Sequence, residues 1–254
     1  MLEGMDVGMN ADLGRHRPTT LAALMGFVDH TMIRPDMTRA EVAAGIEAGC
    51  SLGTATVVVR PWEIAWAKQL VGDRGPLICT SISFPHGADA TISKVGQTRT
   101  AVDSGADEID VVMNVGAFLS GQTDLVFDEI CAVVEAAQGR TVKVIIETGY
   151  LDLDGVLVAA RLVAATGATY VKNGTGYSPR GATPEETRLL RQTVPVDVLV
   201  KAAGGIRTLA AMLDLIDAGA ARIGTSASLA IADEWRRATS SENSPDERST
   251  SSEG

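Results

Sequence analysis

The chain has 254 residues, 45% of them hydrophobic and 21% charged, which suffices for one barrel-sized domain or two small ones. Its formal net charge of −10 argues against a nucleic-acid partner, and no run of 18 apolar residues argues for a membrane span. Aromatic residues are only 4%, so the core is built from Val, Ile, Leu and Ala, which favours buried parallel strands packed under helices.

Residues 1–19 lack hydrophobic periodicity and carry no apolar segment of signal-peptide type, which suits a cytoplasmic protein. From residue 20 short apolar runs alternate with helical patterns. The runs are 27–33, 54–60, 77–83, 108–114, 141–147, 169–174, 196–205 and 222–226. Eight strand–helix units within about 210 residues predict a single α/β domain, a (β/α)8 TIM barrel, over 20–237. An open doubly wound sheet is the competing arrangement, but no glycine-rich loop follows the first run. Gly49, Gly105, Gly167 and Gly219 each stand just before a strand, where a left-handed helix cap is expected. From Ala238 to the end the chain is Ser- and Glu-rich, and disorder is expected there as in the N-terminal extension.

The chemistry concentrates in the strands. Asp110 lies in the fourth, Lys143 and Glu147 in the fifth, Lys172 in the sixth and Lys201 in the seventh. Buried lysines are rare because desolvating an ammonium is costly. Three on consecutive strands suit a Schiff-base site, where burial and a neighbouring cation keep one amine neutral and nucleophilic. The structural alternative is that these lysines form internal salt bridges with Asp110 and Glu147, and spacing alone does not say which lysine reacts. Asp29 in the first strand can face the same interior. Glu147 and Thr148 are placed to orient Lys143, and His86 is read as a structural loop residue. Gly204 and Gly205 end the seventh strand and Ser226 ends the eighth, both before helices. Backbone amides there, with Gly174 after the sixth strand, suit a phosphate group. Cys50, Cys79 and Cys131 form no CxxC or Cys/His cluster, so they are read as reduced thiols packed as small hydrophobes, with no zinc site.

Seven ordered segments carry a family resemblance: DHTMIRPDMT (29–38), SFPHGA (83–88), the stretch 94–121 around EIDVVMN, VKVIIETGYL (142–151), YVKNGTGYSPRGAT (170–183), VKAAGGIRT (200–208) and RIGTSAS (222–228). With these the chain resembles the 2-deoxyribose-5-phosphate aldolase family. The resemblance implies a metal-independent class I aldolase without a cofactor, reversibly cleaving 2-deoxy-D-ribose 5-phosphate to D-glyceraldehyde 3-phosphate and acetaldehyde. It places the Schiff base on Lys172, the perturbing lysine on Lys201 and the proton relay on Asp110. Lys143 and Asp29 support them, and Gly204, Gly205 and Ser226 bind phosphate. A homodimer is the expectation from base rates. Where the family reads Lys-Thr-Ser-Thr-Gly, this chain has Lys172-Asn173-Gly174-Thr175-Gly176, and Val58 stands where a cysteine is frequent. The Asn173-Gly174 departure motivates a second expectation, a related lyase with another aldehyde or sugar preference. A non-catalytic phosphate-binding barrel is the third.

Overall fold

The computed structural model describes residues 17–242. Eight strands, β1 (Val28–Met32), β2 (Thr56–Val59), β3 (Leu77–Ile82), β4 (Glu108–Val112), β5 (Thr141–Ile145), β6 (Tyr170–Lys172), β7 (Leu199–Ala203) and β8 (Arg222–Thr225), pair in parallel and in chain order. The sheet closes where β1 meets β8, with Asp29 opposite Gly224. Each of the eight expected strands is present, and the closed order rules out the open sheet.

The helices are α1 (Leu21–Met25), α2 (Arg39–Leu52), α3 (Ile64–Val71), α4 (Thr91–Asp103), α5 (Val115–Leu119), α6 (Thr123–Ala136), α7 (Leu153–Ala164), α8 (Pro184–Thr193), α9 (Leu209–Asp217) and α10 (Ser228–Glu242). Their starts are written locally. Thr38 and Glu41 form a reciprocal capping box on α2, and Thr183 caps α8 ahead of a proline at its first turn. Thr208 accepts from the Ala211 amide at the start of α9.

Strand alternation divides the residues between two environments. Val57, Val59, Ile78, Ile109, Val111, Val142, Val144, Val171 and Val200 are all at most 1% exposed and pack outward under the helices. Burying each such side chain stabilises the barrel by about 1.5–3 kcal/mol. The alternate residues point inward and include Asp29, Thr56, Ser81, Glu108, Asp110, Lys143, Lys172, Lys201 and Arg222.

Two local expectations change. Gly105, Gly167 and Gly219 do take positive φ just beyond helix ends, but Gly49 lies inside α2, which ends at Gly53 with φ 68°. Gly49 is small for packing instead, since a Cβ there would sit 2.5 Å from Val57 Cγ1. The final helix also runs past the expected boundary at 237. The Thr239 and Ser240 hydroxyls there donate to the Trp235 and Arg236 carbonyls, one turn back in the same helix. The remaining extension calls, on residues 1–16 and 243–254, lie outside the described residues.

Candidate active site

Seven charged side chains meet inside the barrel. Asp110 is the hub: its Oδ2 accepts from Lys172 Nζ at 2.7 Å and Lys201 Nζ at 2.8 Å, its Oδ1 from Lys143 Nζ at 2.9 Å. Asp29 accepts from Lys201 Nζ at 2.5 Å, Arg222 Nη1 at 2.7 Å and the Thr56 hydroxyl at 2.8 Å. Glu108 lies 2.6 Å from Lys143 Nζ and 3.3 Å from Arg222 Nη1. The three carboxylates are balanced by Lys143, Lys201 and Arg222. Lys172 is a fourth cation with no carboxylate of its own, because it shares one Asp110 oxygen with Lys201.

That surplus fixes the direction in which each amine is pushed. Burial lowers the Lys172 pKa, Asp110 opposes this, the Lys201 ammonium adds to it, and the net displacement is downward. Burial also acts against the Lys201 ammonium, but Asp110 and Asp29 outweigh it and its pKa rises. Lys143 follows the same logic and stays well above its usual value, held by Asp110. Asp110 is disfavoured as a carboxylate by burial, yet Lys143, Lys172 and Lys201 together hold it well below the usual range.

Above this network a cavity of about 170 Å³ opens at the carboxyl ends of the strands. Of the three strand lysines only Lys172 lines it, beside Asp110 and Ser81, while Lys143 and Lys201 are sealed beneath at 0% and 1% exposure. On its β7–β8 side the wall is Gly204, Gly205, Arg207, Thr225 and Ser226. Gly204 has φ 98°, and a Cβ there would come within 3.2 Å of Gly176 Cα, so close packing of backbone requires glycine. The Thr225 hydroxyl donates to Ile206 O at 2.7 Å and accepts from Ala227 N at 2.9 Å, tying the two strand-end loops together. The cavity thus places the Lys172 amine opposite the glycine-rich ends of β7 and β8 and the exposed Arg207.

The sequence matches the DeoC/LacD family aldolases over residues 23–233. The chain belongs to the DeoC/LacD aldolase family. It is 44% identical to deoxyribose-phosphate aldolase 2 of Staphylococcus aureus strain MRSA252 over 204 residues, 80% of this chain and 93% of that protein. Among solved structures, the aldolase QR15 superposes with a TM-score of 0.82 at 33% identity, covering 85% of this chain and 97% of its own. The tetrameric deoxyribose phosphate aldolase of Aeropyrum pernix gives a TM-score of 0.81 at 28% identity, covering 87% and 94%.

Several expectations about this DeoC/LacD aldolase are revised by its geometry. Glu147 does not orient Lys143. It sits at φ 54° and accepts from the Thr175 amide at 3.0 Å and the Thr175 hydroxyl at 2.5 Å, holding the loop after β6. The salt-bridge reading of Lys143 and Lys201 is met, but through Asp110, Asp29 and Glu108. Gly174 is buried against Glu147 and does not line the cavity, so it leaves the phosphate set. Asn173 does not line the cavity either: its Oδ1 accepts from Ala203 N at 2.8 Å, and its buried Nδ2 has no partner. Val58 does line the cavity. Cys79 is more than a small hydrophobe: its Sγ donates to Asp110 Oδ1 at 3.3 Å, and burial pushes the thiol up to about 12.

Sequence reasoning missed Glu108 and Arg222. Both were available from the period of two, because Glu108 precedes Asp110 by two residues and Arg222 precedes Gly224 by two. No helix among the described residues is long and apolar enough to cross a membrane, and none of their His, Cys, Asp and Glu side chains cluster to hold a metal ion.

Proposed function

We propose that the protein is a class I, Schiff-base aldolase that reversibly cleaves 2-deoxy-D-ribose 5-phosphate to D-glyceraldehyde 3-phosphate and acetaldehyde. The observation that carries this reading is the position of Lys172: the one strand lysine open to the cavity is also the one cation the carboxylates do not balance. Its amine is the easiest of the three to deprotonate, which is what attack on a carbonyl requires.

In this reading the neutral Lys172 amine adds to C1 of the open-chain sugar. Water leaves and an iminium forms. A base, water relayed through Asp110 and Lys201, takes the C3 hydroxyl proton. The C3 oxygen electrons form the product aldehyde, the C2–C3 bond breaks, and its electron pair enters the iminium as an enamine. Protonation at C2 and hydrolysis release acetaldehyde and restore Lys172. Lys201 keeps the site cationic, Lys143 and Asp29 hold Asp110 and Lys201 in place, and the amides at Gly204, Gly205 and Ser226 hold the 5-phosphate. The reaction needs no metal or added cofactor, and the substrates are small cytoplasmic metabolites. A homodimer remains part of the proposal.

A coupled cleavage assay tests it. The protein is expected to cleave deoxyribose 5-phosphate at least about 10²-fold more efficiently than unphosphorylated deoxyribose, since several charge-assisted hydrogen bonds are lost with the phosphate. Lys172→Ala is expected to remove about 10⁴-fold or more of the rate. Equal rates on both sugars would remove the phosphate assignment, and an active Lys172→Ala would remove the mechanism.

A further inference from the structure

The Lys172 cavity holds one polar group that neither the charge network nor the fold uses. Ser81 on β3 pairs in register with Asp110 on β4, and both line the cavity with Lys172. Strand alternation turns Ser81 inward, as it does Cys79 two residues earlier. Ser81 is 5% exposed, and its buried Oγ has no hydrogen-bond partner among the described residues. The threonine hydroxyls of the same wall are engaged: Thr31 donates to Asp29 O at 3.0 Å, Thr225 to Ile206 O at 2.7 Å, and Thr175 to Glu147. A buried hydroxyl without a partner is costly, so an orphan beside a reactive amine points to a partner that arrives with the substrate. Rotation about the Cα–Cβ bond carries the Oγ among its three staggered positions. Position selects the substrate oxygen it meets. In the closed order β3 stands four strands from β7 either way round, so Ser81 faces the glycine-rich ends of β7 and β8 from across the cavity. A phosphosugar with its phosphate at Gly204, Gly205 and Ser226 and its C1 at Lys172 presents its aldehyde end to β3, ahead of its C3 and C4 hydroxyls.

We propose that Ser81 is a further catalytic residue, whose hydroxyl donates a hydrogen bond to the C1 oxygen while that oxygen is lost as water. This role deepens the aldolase reading and rests on the Schiff base at Lys172. The Lys172 amine adds to C1, and the C=O electron pair moves to the oxygen. The oxygen takes one proton from the newly bonded nitrogen and one from the water relay at Asp110 and Lys201. The C–O bond then breaks, water leaves with the bonding pair, and the nitrogen lone pair forms the iminium. Ser81 keeps its own proton throughout, so it supports charge on the departing oxygen without titrating. Hydrolysis of the iminium runs the same steps backward.

The test compares Ser81→Ala with the unaltered full chain on two substrates. Acetaldehyde carries only a C1 oxygen, and growth of the Lys172 adduct under saturating cyanoborohydride reads its iminium formation. Deoxyribose 5-phosphate also carries C3 and C4 hydroxyls, and a coupled assay reads its cleavage. Loss of one hydrogen bond to the C1 oxygen is expected to slow adduct growth about tenfold and to lower kcat/KM for cleavage as well. Ser81→Ala is also expected to unfold in urea no earlier than the unaltered protein, because an orphan hydroxyl adds nothing to the fold. Slower cleavage with unchanged adduct growth would place Ser81 on a sugar hydroxyl and overturn the assignment. Unchanged rates on both substrates would overturn it too. So would slower rates with an earlier unfolding midpoint, which would make Ser81 a structural residue. Slower adduct growth in Ser81→Ala, with no cleavage of deoxyribose 5-phosphate by either protein, would support the role at C1 while removing the proposed natural substrate, so the two readings fail separately.

Discussion

At the scale of single residues, charge counting does most of the selection. Lys172 has a lowered pKa because burial penalises its ammonium and Lys201 repels it, with Asp110 partly compensating. Replacing Lys201 by Met removes the repulsion and leaves Asp110 freer to hold a proton on Lys172. The acid limb of kcat/KM is therefore expected to move to higher pH, and a pH–rate profile of Lys201→Met checks this; an unmoved limb would mean that Lys201 does not tune Lys172. His30 gives a second test. Its Nδ1 lies 2.7 Å from the buried Ser228 hydroxyl, and burial lowers its pKa to about 4. Unfolded, it titrates near 6.5. Between those values the unfolded chain binds a proton that the folded chain refuses, so stability falls with falling pH by up to about 3 kcal/mol by pH 4. The lowered carboxylates Asp29 and Asp110 act only below about pH 4, where their contribution is lost as they protonate. Urea unfolding at pH 7 and 4.5 is expected to show a shallower loss in His30→Gln, which retains a polar group for Ser228.

At the scale of elements, β4 is held from outside as well as from within. Lys94 on α4 is fully buried and donates to Val112 O at 2.9 Å and to Glu129 Oε1 at 2.5 Å, and Glu129 on α6 accepts from Asn114 N at 3.2 Å. Burial lowers the Lys94 pKa and raises that of Glu129, each opposed by its partner, so the pair persists only while both members are present. Lys94→Met is expected to cost about 3–5 kcal/mol by stranding a buried carboxylate, and Lys94→Met with Glu129→Leu to recover much of it. Chemical denaturation of the two variants measures this. This pair was not legible in the sequence, because α4 reads as a polar helix and nothing local announces that Lys94 faces inward. The strands were legible to within three residues at either end, since Val and Ile runs buried on both faces leave a strong local signal. The interior lysines stood out because a charge inside such a run is costly. Glu147 was misassigned for a three-dimensional reason: at the end of β5 its left-handed backbone turns the carboxylate to the β6 loop, which strand alternation does not predict.

At the scale of the whole molecule, closure of the barrel is what makes the site. The network joins β1, β4, β5, β6, β7 and β8, with Arg222 bridging Asp29 beside the closing seam and Glu108 across the interior. An open sheet would leave Asp29 far from Lys201 and Asp110, and the charge balance that singles out Lys172 would not exist. The most direct measurement is reductive trapping. The protein is incubated with deoxyribose 5-phosphate or with acetaldehyde, reduced with borohydride, and its peptides are mapped by mass. The account predicts a stable adduct on Lys172 that is absent from Lys172→Ala. An adduct on Lys143 or Lys201, or no adduct with either compound, would contradict it.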